Sequence, residues 1–189
     1  EILTPKQKQI IEKAILEREN ILIVGGTGSG KTTFANAIIA GIARLTPEHR
    51  IIIIEDTAEL QCASKNKVVL RTSDKADMLR LLKATMRLRP DRIIVGETRG
   101  KEALDLLKAW NTGHPGGIAT VHANSAYGGL TRLEQLISEV STTNMSELIA
   151  EAVNLVVFIK KTNNGRKIKE IIKISGFNNE NKKYIFNQI

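Results

Sequence analysis

Ile21-Leu22-Ile23-Val24-Gly25-Gly26-Thr27-Gly28-Ser29-Gly30-Lys31-Thr32-Thr33 is the stretch that decides the fold. Its first four residues are wholly apolar and too few for a helix, as expected of a strand buried on both faces. The next eight match the spacing G-x-x-x-x-G-K-[ST], and helical patterning from about Lys31 to Leu45 follows. Strand, glycine-rich turn and helix in that order form a phosphate cradle. Glycines let successive N–H groups turn inward toward anionic oxygens, and the helix start adds the positive end of its dipole. Lys31 is placed to reach the β- and γ-phosphates of a nucleotide, and the Thr32 hydroxyl to hold Mg2+. Gly25, Gly26, Thr27, Gly28, Ser29, Gly30, Lys31, Thr32 and Thr33 are therefore the expected nucleotide-binding residues, with ATP or GTP as ligand.

On either side of this stretch, short apolar runs alternate with helical patterns. Ile51–Ile54, Val68–Leu70, Ile93–Val95 and Gly117–Val121 read as strands. Helices are expected before and between them. The first opens on Thr4-Pro5-Lys6-Gln7, a capping box with proline at the first helical position, and runs on through Glu17–Glu19. Others cover Asp74–Leu88, Lys101–Trp110, Ala126–Val140 and Ser146–Asn154. The tail, with strands at Val156–Lys160, Lys167–Ser175 and Lys183–Asn187, reads as antiparallel, turning at Asn163-Asn164-Gly165. This pattern predicts an α/β domain with a mostly parallel sheet flanked by helices and an antiparallel C-terminal edge.

Hydrolysis of a bound nucleotide needs a held Mg2+ and a water oriented for in-line attack on the γ-phosphate. Two acidic stations follow buried strands, where open parallel sheets gather their ligands. One is Glu55-Asp56-Thr57-Ala58-Glu59 and the other is Glu97. The second departs from the usual pattern, because its strand runs into Gly96-Glu97 with no aspartate at its end.

Composition sets outer limits. No apolar run approaches the ~18 residues that span a bilayer, and no export signal opens the chain. The single cysteine, Cys62, cannot form an internal disulfide, which fits a reducing compartment. A start at Glu1 rather than methionine suggests a piece of a longer protein. The net charge of +8 is uneven: eight basic and two acidic residues lie between Lys160 and Lys183. Nucleic acid or an anionic membrane surface could use that patch, and so could a merely solvated sheet edge.

Four segments resemble, in order, those of the secretion traffic ATPases, the ring motors of type IV secretion and conjugation. They are the phosphate cradle, the acidic stretch Ile54–Leu60, the stretch Arg87–Gly100 with its Gly-Glu ending, and the histidine-bearing stretch Thr112–Ser125. Gly-His-Pro-Gly-Gly at 113–117 and Thr-Val-His-Ala-Asn at 120–124 resemble the type IV secretion and conjugal branch more than the pilus branch. The resemblance implies a RecA-like P-loop NTPase domain over residues 1–189, the C-terminal part of a protein with a further N-terminal domain. It implies ATP and Mg2+ as cofactors, with Glu59 as general base or water-positioning carboxylate. Glu97 would hold Mg2+ through water, and Glu55 and Asp56 would support that site beside Thr32. His122 would sit near the γ-phosphate, and His114 would orient its loop. The resemblance further implies a homohexamer at the cytoplasmic side of the inner membrane, in contact with secretion-channel components. Among six candidate arginines, Arg71 and Arg87 are singled out for neutralising phosphate charge.

A RecA-like nucleic-acid-translocating ATPase is the alternative, made less attractive by only 4% aromatic residues and no clustered stacking platform in the sequence. A nucleotide-gated interaction module with slow hydrolysis is a third reading. A small-molecule kinase is the weakest, since no stretch resembles a lid or acceptor site.

Overall fold

The computed structural model describes residues 2–189. An eight-stranded sheet runs β3-β2-β4-β5-β1-β6-β7-β8, where β1 is Ile21–Val24, β2 Ile51–Glu55, β3 Lys67–Arg71, β4 Arg92–Val95, β5 Ile118–Val121, β6 Leu155–Thr162, β7 Gly165–Asn178 and β8 Lys183–Gln188. Strands β1 to β6 pair in parallel, and β6-β7-β8 are antiparallel. The expected parallel sheet with an antiparallel C-terminal edge is what forms.

Alternation along each strand sends its side chains to two separate cores. Ile21, Ile23, Ile51, Ile53, Ile94, Ile118 and Val157 pack beneath helices α1 (Pro5–Leu16) and α2 (Lys31–Leu45). Leu22, Val24, Ile54, Ile93, Val95, Val121 and Val156 pack on the other face against α3 (Met78–Thr85), α4 (Glu102–Asn111), α5 (Ala126–Ser138) and α6 (Ser146–Ala152). Each fully buried Ile or Val contributes about 1.5–3 kcal/mol by leaving water. Among the described residues no helix is long and apolar enough to cross a membrane.

Several elements depart from their expected bounds for local reasons. Helix α1 opens with the reciprocal cap, Gln7 N–H donating to Thr4 Oγ1 at 3.2 Å and Thr4 N–H to Gln7 Oε1 at 2.9 Å. It stops at Leu16, because Arg18 turns into the left-handed region at φ 55°, so Glu17–Glu19 are not helical. Glu19 instead pairs with Lys173 of β7. The helix expected over Asp74–Leu88 begins only at Met78, where the Asp77 side chain accepts from Arg80 N–H at 2.8 Å. It tightens to a 3-10 turn at Met86–Leu88 ahead of Pro90. The tail hairpin has a two-residue loop, Asn163-Asn164, and Gly165 takes the positive φ of 101°. Phe177, Tyr184, Phe186 and Tyr127 gather from β7, β8 and α5, edge-to-face and tilted, with ring centroids 5.1–6.0 Å apart. They pack on one another rather than forming a flat platform.

At the end of the sheet away from the cradle, buried Arg92 holds three segments together. Its guanidinium donates to Ile15 O at 2.7 Å, Gly116 O at 3.0 Å and His49 Nδ1 at 2.9 Å. Burial and the nearby Arg18 charge draw its pKa down to about 10, so it remains charged at neutral pH. Burial first, then the charges of Arg92 and Arg18, also hold the His49 imidazole below its ordinary value of 6.5. Neutral His49 therefore belongs to the folded state. Its contribution is complete above the unfolded value and is lost as the pH falls through the lower folded value. Urea midpoints measured at about pH 7.5 and about pH 5 should fall on acidification, and His49→Gln should flatten part of that fall. Arg92→Met, which leaves the Gly116 carbonyl without its donor and takes one donor from Ile15 O, should cost about 1–3 kcal/mol in the same assay.

Candidate functional site

Four strand ends converge on a cavity of about 250 Å3. The loop after β1 brings Lys31 and Thr32, the end of β2 brings Glu55 and Glu59, the end of β4 brings Glu97, and the end of β5 brings His122. Strand burial explains this location, since polar groups can project only where the apolar runs stop.

The cradle itself is built by glycine. Gly30 caps α2 at φ 98°, and the helix begins at Lys31. Lys31 is 8% exposed, and its ammonium donates to Gly25 O at 2.9 Å and Gly26 O at 3.1 Å. Its Nζ lies 3.3 Å from His122 Nε2. Burial lowers the lysine pKa, with Glu97 opposing that shift and Arg99 adding to it. Ser29 is buried, its Oγ pressed beneath Gly25, where a Cβ would come within 2.4 Å of it. Its side chain thus packs the underside of the loop. Thr33 is exposed in the first turn of α2.

The acidic stretch divides its work. Glu55 is 2% exposed, and its Oε2 accepts from Glu59 N–H at 3.0 Å and Leu60 N–H at 2.9 Å. Its other oxygen faces Arg71 Nε at 3.4 Å. Glu55 is thereby engaged in folding the loop that presents Glu59. Glu59 accepts from the Thr32 hydroxyl at 3.0 Å, so base candidate and cradle hydroxyl already touch. Asp56 accepts from Thr72 Oγ1 at 2.9 Å and stands 3.9 Å from Arg99. Glu97 pairs with Arg99 and lies 2.5 Å from His122 Nε2. The bond to Glu97, with further attraction to Asp56 and Glu59, raises the Arg99 pKa.

Sequence reasoning missed Asn36. One turn beyond Thr32 on α2, it donates to Glu59 O at 3.0 Å and accepts from Gln61 N–H at 2.8 Å, stapling the acidic loop to the cradle helix. The i, i+4 spacing from Thr32 is the signal that could have found it. Arg71 reaches the site through Glu55, whereas Arg87 lies before β4, at the opposite end of that strand from Glu97. His114 also lies at that far end, its Nδ1 3.0 Å from Pro90 O, tying its loop to the segment before β4.

The ends of β4 and β5 are cross-linked. Thr120 Oγ1 donates to Gly96 O at 2.7 Å, and Thr98 N–H donates to Thr120 O at 2.9 Å. Ahead of α5, Ser125 caps the helix, and Ala126 N–H donates to Glu170 of β7 at 2.9 Å.

Among the described residues no three acidic, histidine or cysteine side chains form an all-protein metal cage. Mg2+ does not require one, since it keeps several waters and takes one or two protein ligands beside substrate phosphates. The Thr32 hydroxyl with Glu59 and Glu97 around one polar cavity fits that description.

The chain matches the model of the family described as type II/IV secretion system protein over residues 2–180. It is 58% identical over 178 residues to the conjugal transfer protein TrbB of Rhizobium radiobacter, covering 94% of this chain and 55% of that protein. Its structure is similar to the crystal structure of the VirB11 ATPase from the Brucella suis type IV secretion system in complex with sulphate, with a TM-score of 0.81 and 28% identity over 89% of this chain and 52% of the other. The pilus retraction motor PilT with bound ADP is also similar, with a TM-score of 0.66 and 26% identity, over 89% of this chain and 51% of the other. The chain thus spans about half the length of these relatives.

Because Glu55 is engaged in the loop, Glu55→Ala should act on loop order first. Amide exchange at Glu59 and Leu60 should accelerate by about tenfold or more, the scale of losing a charged acceptor worth ~1.5–3 kcal/mol, while amides of β1 keep their protection.

Proposed function

The chain belongs to the type II/IV secretion system protein family, and on that premise we propose that it is the Mg-dependent ATP-hydrolysing motor domain of a type IV secretion or conjugal-transfer ATPase. The observation that carries this reading is the meeting of Lys31, Thr32, Glu59, Glu97 and His122 in one polar cavity at the C-terminal ends of parallel strands. In this reading the cradle amides and Lys31 hold the phosphates, and Lys31 leaves the Gly25 and Gly26 carbonyls for the β- and γ-oxygens. Mg2+ neutralises phosphate charge when bound. Glu59 orients a water for in-line attack on the γ-phosphorus and accepts its proton as the bond to the β,γ-bridging oxygen breaks. Glu97 stands across the cavity with His122, whose Nε2 faces both Lys31 and Glu97 and is placed to answer to the γ-phosphate.

The intact protein would work as a homohexamer on the cytoplasmic face of the inner membrane, against secretion-channel components. There hydrolysis would be coupled to substrate transfer or channel assembly. The relatives' greater length supports a further domain that completes the ring and walls the nucleotide site.

ATP hydrolysis per protomer, measured over a range of protein concentrations, tests this reading. The rate should rise with concentration as subunits meet. Lys31→Ala and Glu59→Gln should each lower it by about a hundredfold or more, the order seen when one preorganised catalytic group is removed. A rate indifferent to Lys31 would sink the proposal.

A further inference from the structure

The basic stretch Lys160–Lys183 folds into a hairpin whose tip lies against the phosphate cradle. Strand β6 runs parallel to β1, so its far end emerges beside the loop that follows β1. The hairpin register pairs Lys161 with Arg166 and Thr162 with Gly165, which makes Arg166 the second residue of β7. Its side chain then lies across the cradle. A Cβ on Gly30 would come within 2.5 Å of Arg166 Cδ, and Arg166 Nε donates to Gly28 O at 3.4 Å. Glycine at position 30, required by its φ of 98°, also lets the arginine lie this close. Among the described residues no acceptor engages the two terminal Nη groups, which stay available at the flank of the loop.

Arg166 does not line the cavity where Lys31, Glu59, Glu97 and His122 meet. It lies against the loop at Gly28 and Gly30. A nucleotide with its terminal phosphate at those residues must lead its remaining parts out of the cradle past the start of α2. We propose that Arg166 is a nucleotide-binding residue, supplied in cis by the C-terminal hairpin, that contacts the α-phosphate end shared by ATP and ADP. The inference rests on the nucleotide-binding reading above. Arginine suits the task because its planar guanidinium is always charged and can bond two oxygens at once. Lys160, Lys161, Lys167 and Lys169 line a separate depression on the hairpin and add positive field.

Titration of fluorescent ATP and ADP analogues into the chain and into Arg166→Ala, Arg166→Lys and Lys167→Ala tests this assignment. Loss of a charge-assisted contact should weaken both nucleotides by the same factor, about tenfold to about a hundredfold. Arg166→Lys should recover only part of the loss. Lys167→Ala removes the same charge one residue away and should change affinity by no more than about twofold. A loss confined to ATP would put the contact at the γ-phosphate and overturn the assignment. Equal losses in Arg166→Ala and Lys167→Ala would reduce it to a general field, and unchanged ADP affinity in Arg166→Ala would also overturn it. Lys31→Ala is the reference: Lys31-dependent binding that ignores Arg166 sinks this inference alone, whereas a chain that binds neither analogue sinks the functional reading as well. Arg166 is exposed, so an unchanged melting temperature without nucleotide verifies that Arg166→Ala is folded.

Discussion

Val24, Glu55, Val95 and Val121 end four parallel strands whose every residue is buried, and that burial is the constraint from which the rest follows. A strand covered on both faces carries a charge only at an end where partners meet it, as Arg92 and Glu55 do, because an unpaired buried charge costs several kcal/mol or more. Each strand must therefore hold its chemistry until the chain leaves the sheet. Parallel pairing then brings all four exits to the same edge. The cradle, the acidic loop, Glu97 and His122 are neighbours for that reason, although almost a hundred residues separate Lys31 from His122 in the chain.

Within the cavity, most charged groups already have a protein partner. Glu55 faces Arg71, Asp56 and Glu97 share Arg99, and Lys31 rests on two carbonyls of its own loop. Arg99 is well exposed, so it can move aside at little cost, and under the proposed function Lys31 would exchange carbonyl oxygens for phosphate oxygens of greater charge. Glu55 differs, because both its oxygens are spent on the backbone and on Arg71 from a buried position.

What could be read from the sequence divides by range. The buried strands, the capped first helix and the cradle are local patterns, and each forms within a few residues of the expected place. Element ends were less legible where one side chain intervened, as with Asp77 shortening α3 and Arg18 ending α1 early. Of the candidate site, Lys31, Thr32, Glu59 and Glu97 were legible because each follows a buried strand with a recognisable ending, whereas His122 was placed there only by the family resemblance. Arg92 with His49, the aromatic group and Arg166 were not legible. Each acquires its place from a partner far off in the chain, and no periodicity or spacing encodes sheet order. Arg166 in particular looked like one charge among eight until β6 was laid beside β1.

The cross-link between β4 and β5 has a mechanical meaning. With Thr120 bonded to Gly96 and to Thr98, the backbones that carry Glu97 and His122 form a single crossbar, and neither can be displaced alone without breaking a bond of 2.7 or 2.9 Å. Glu170 then fastens the next segment, the first turn of α5, to the strand that begins at the hairpin tip. The histidine side of the pocket is thereby tied, through two short series of hydrogen bonds, to the antiparallel part of the sheet one strand in from its edge.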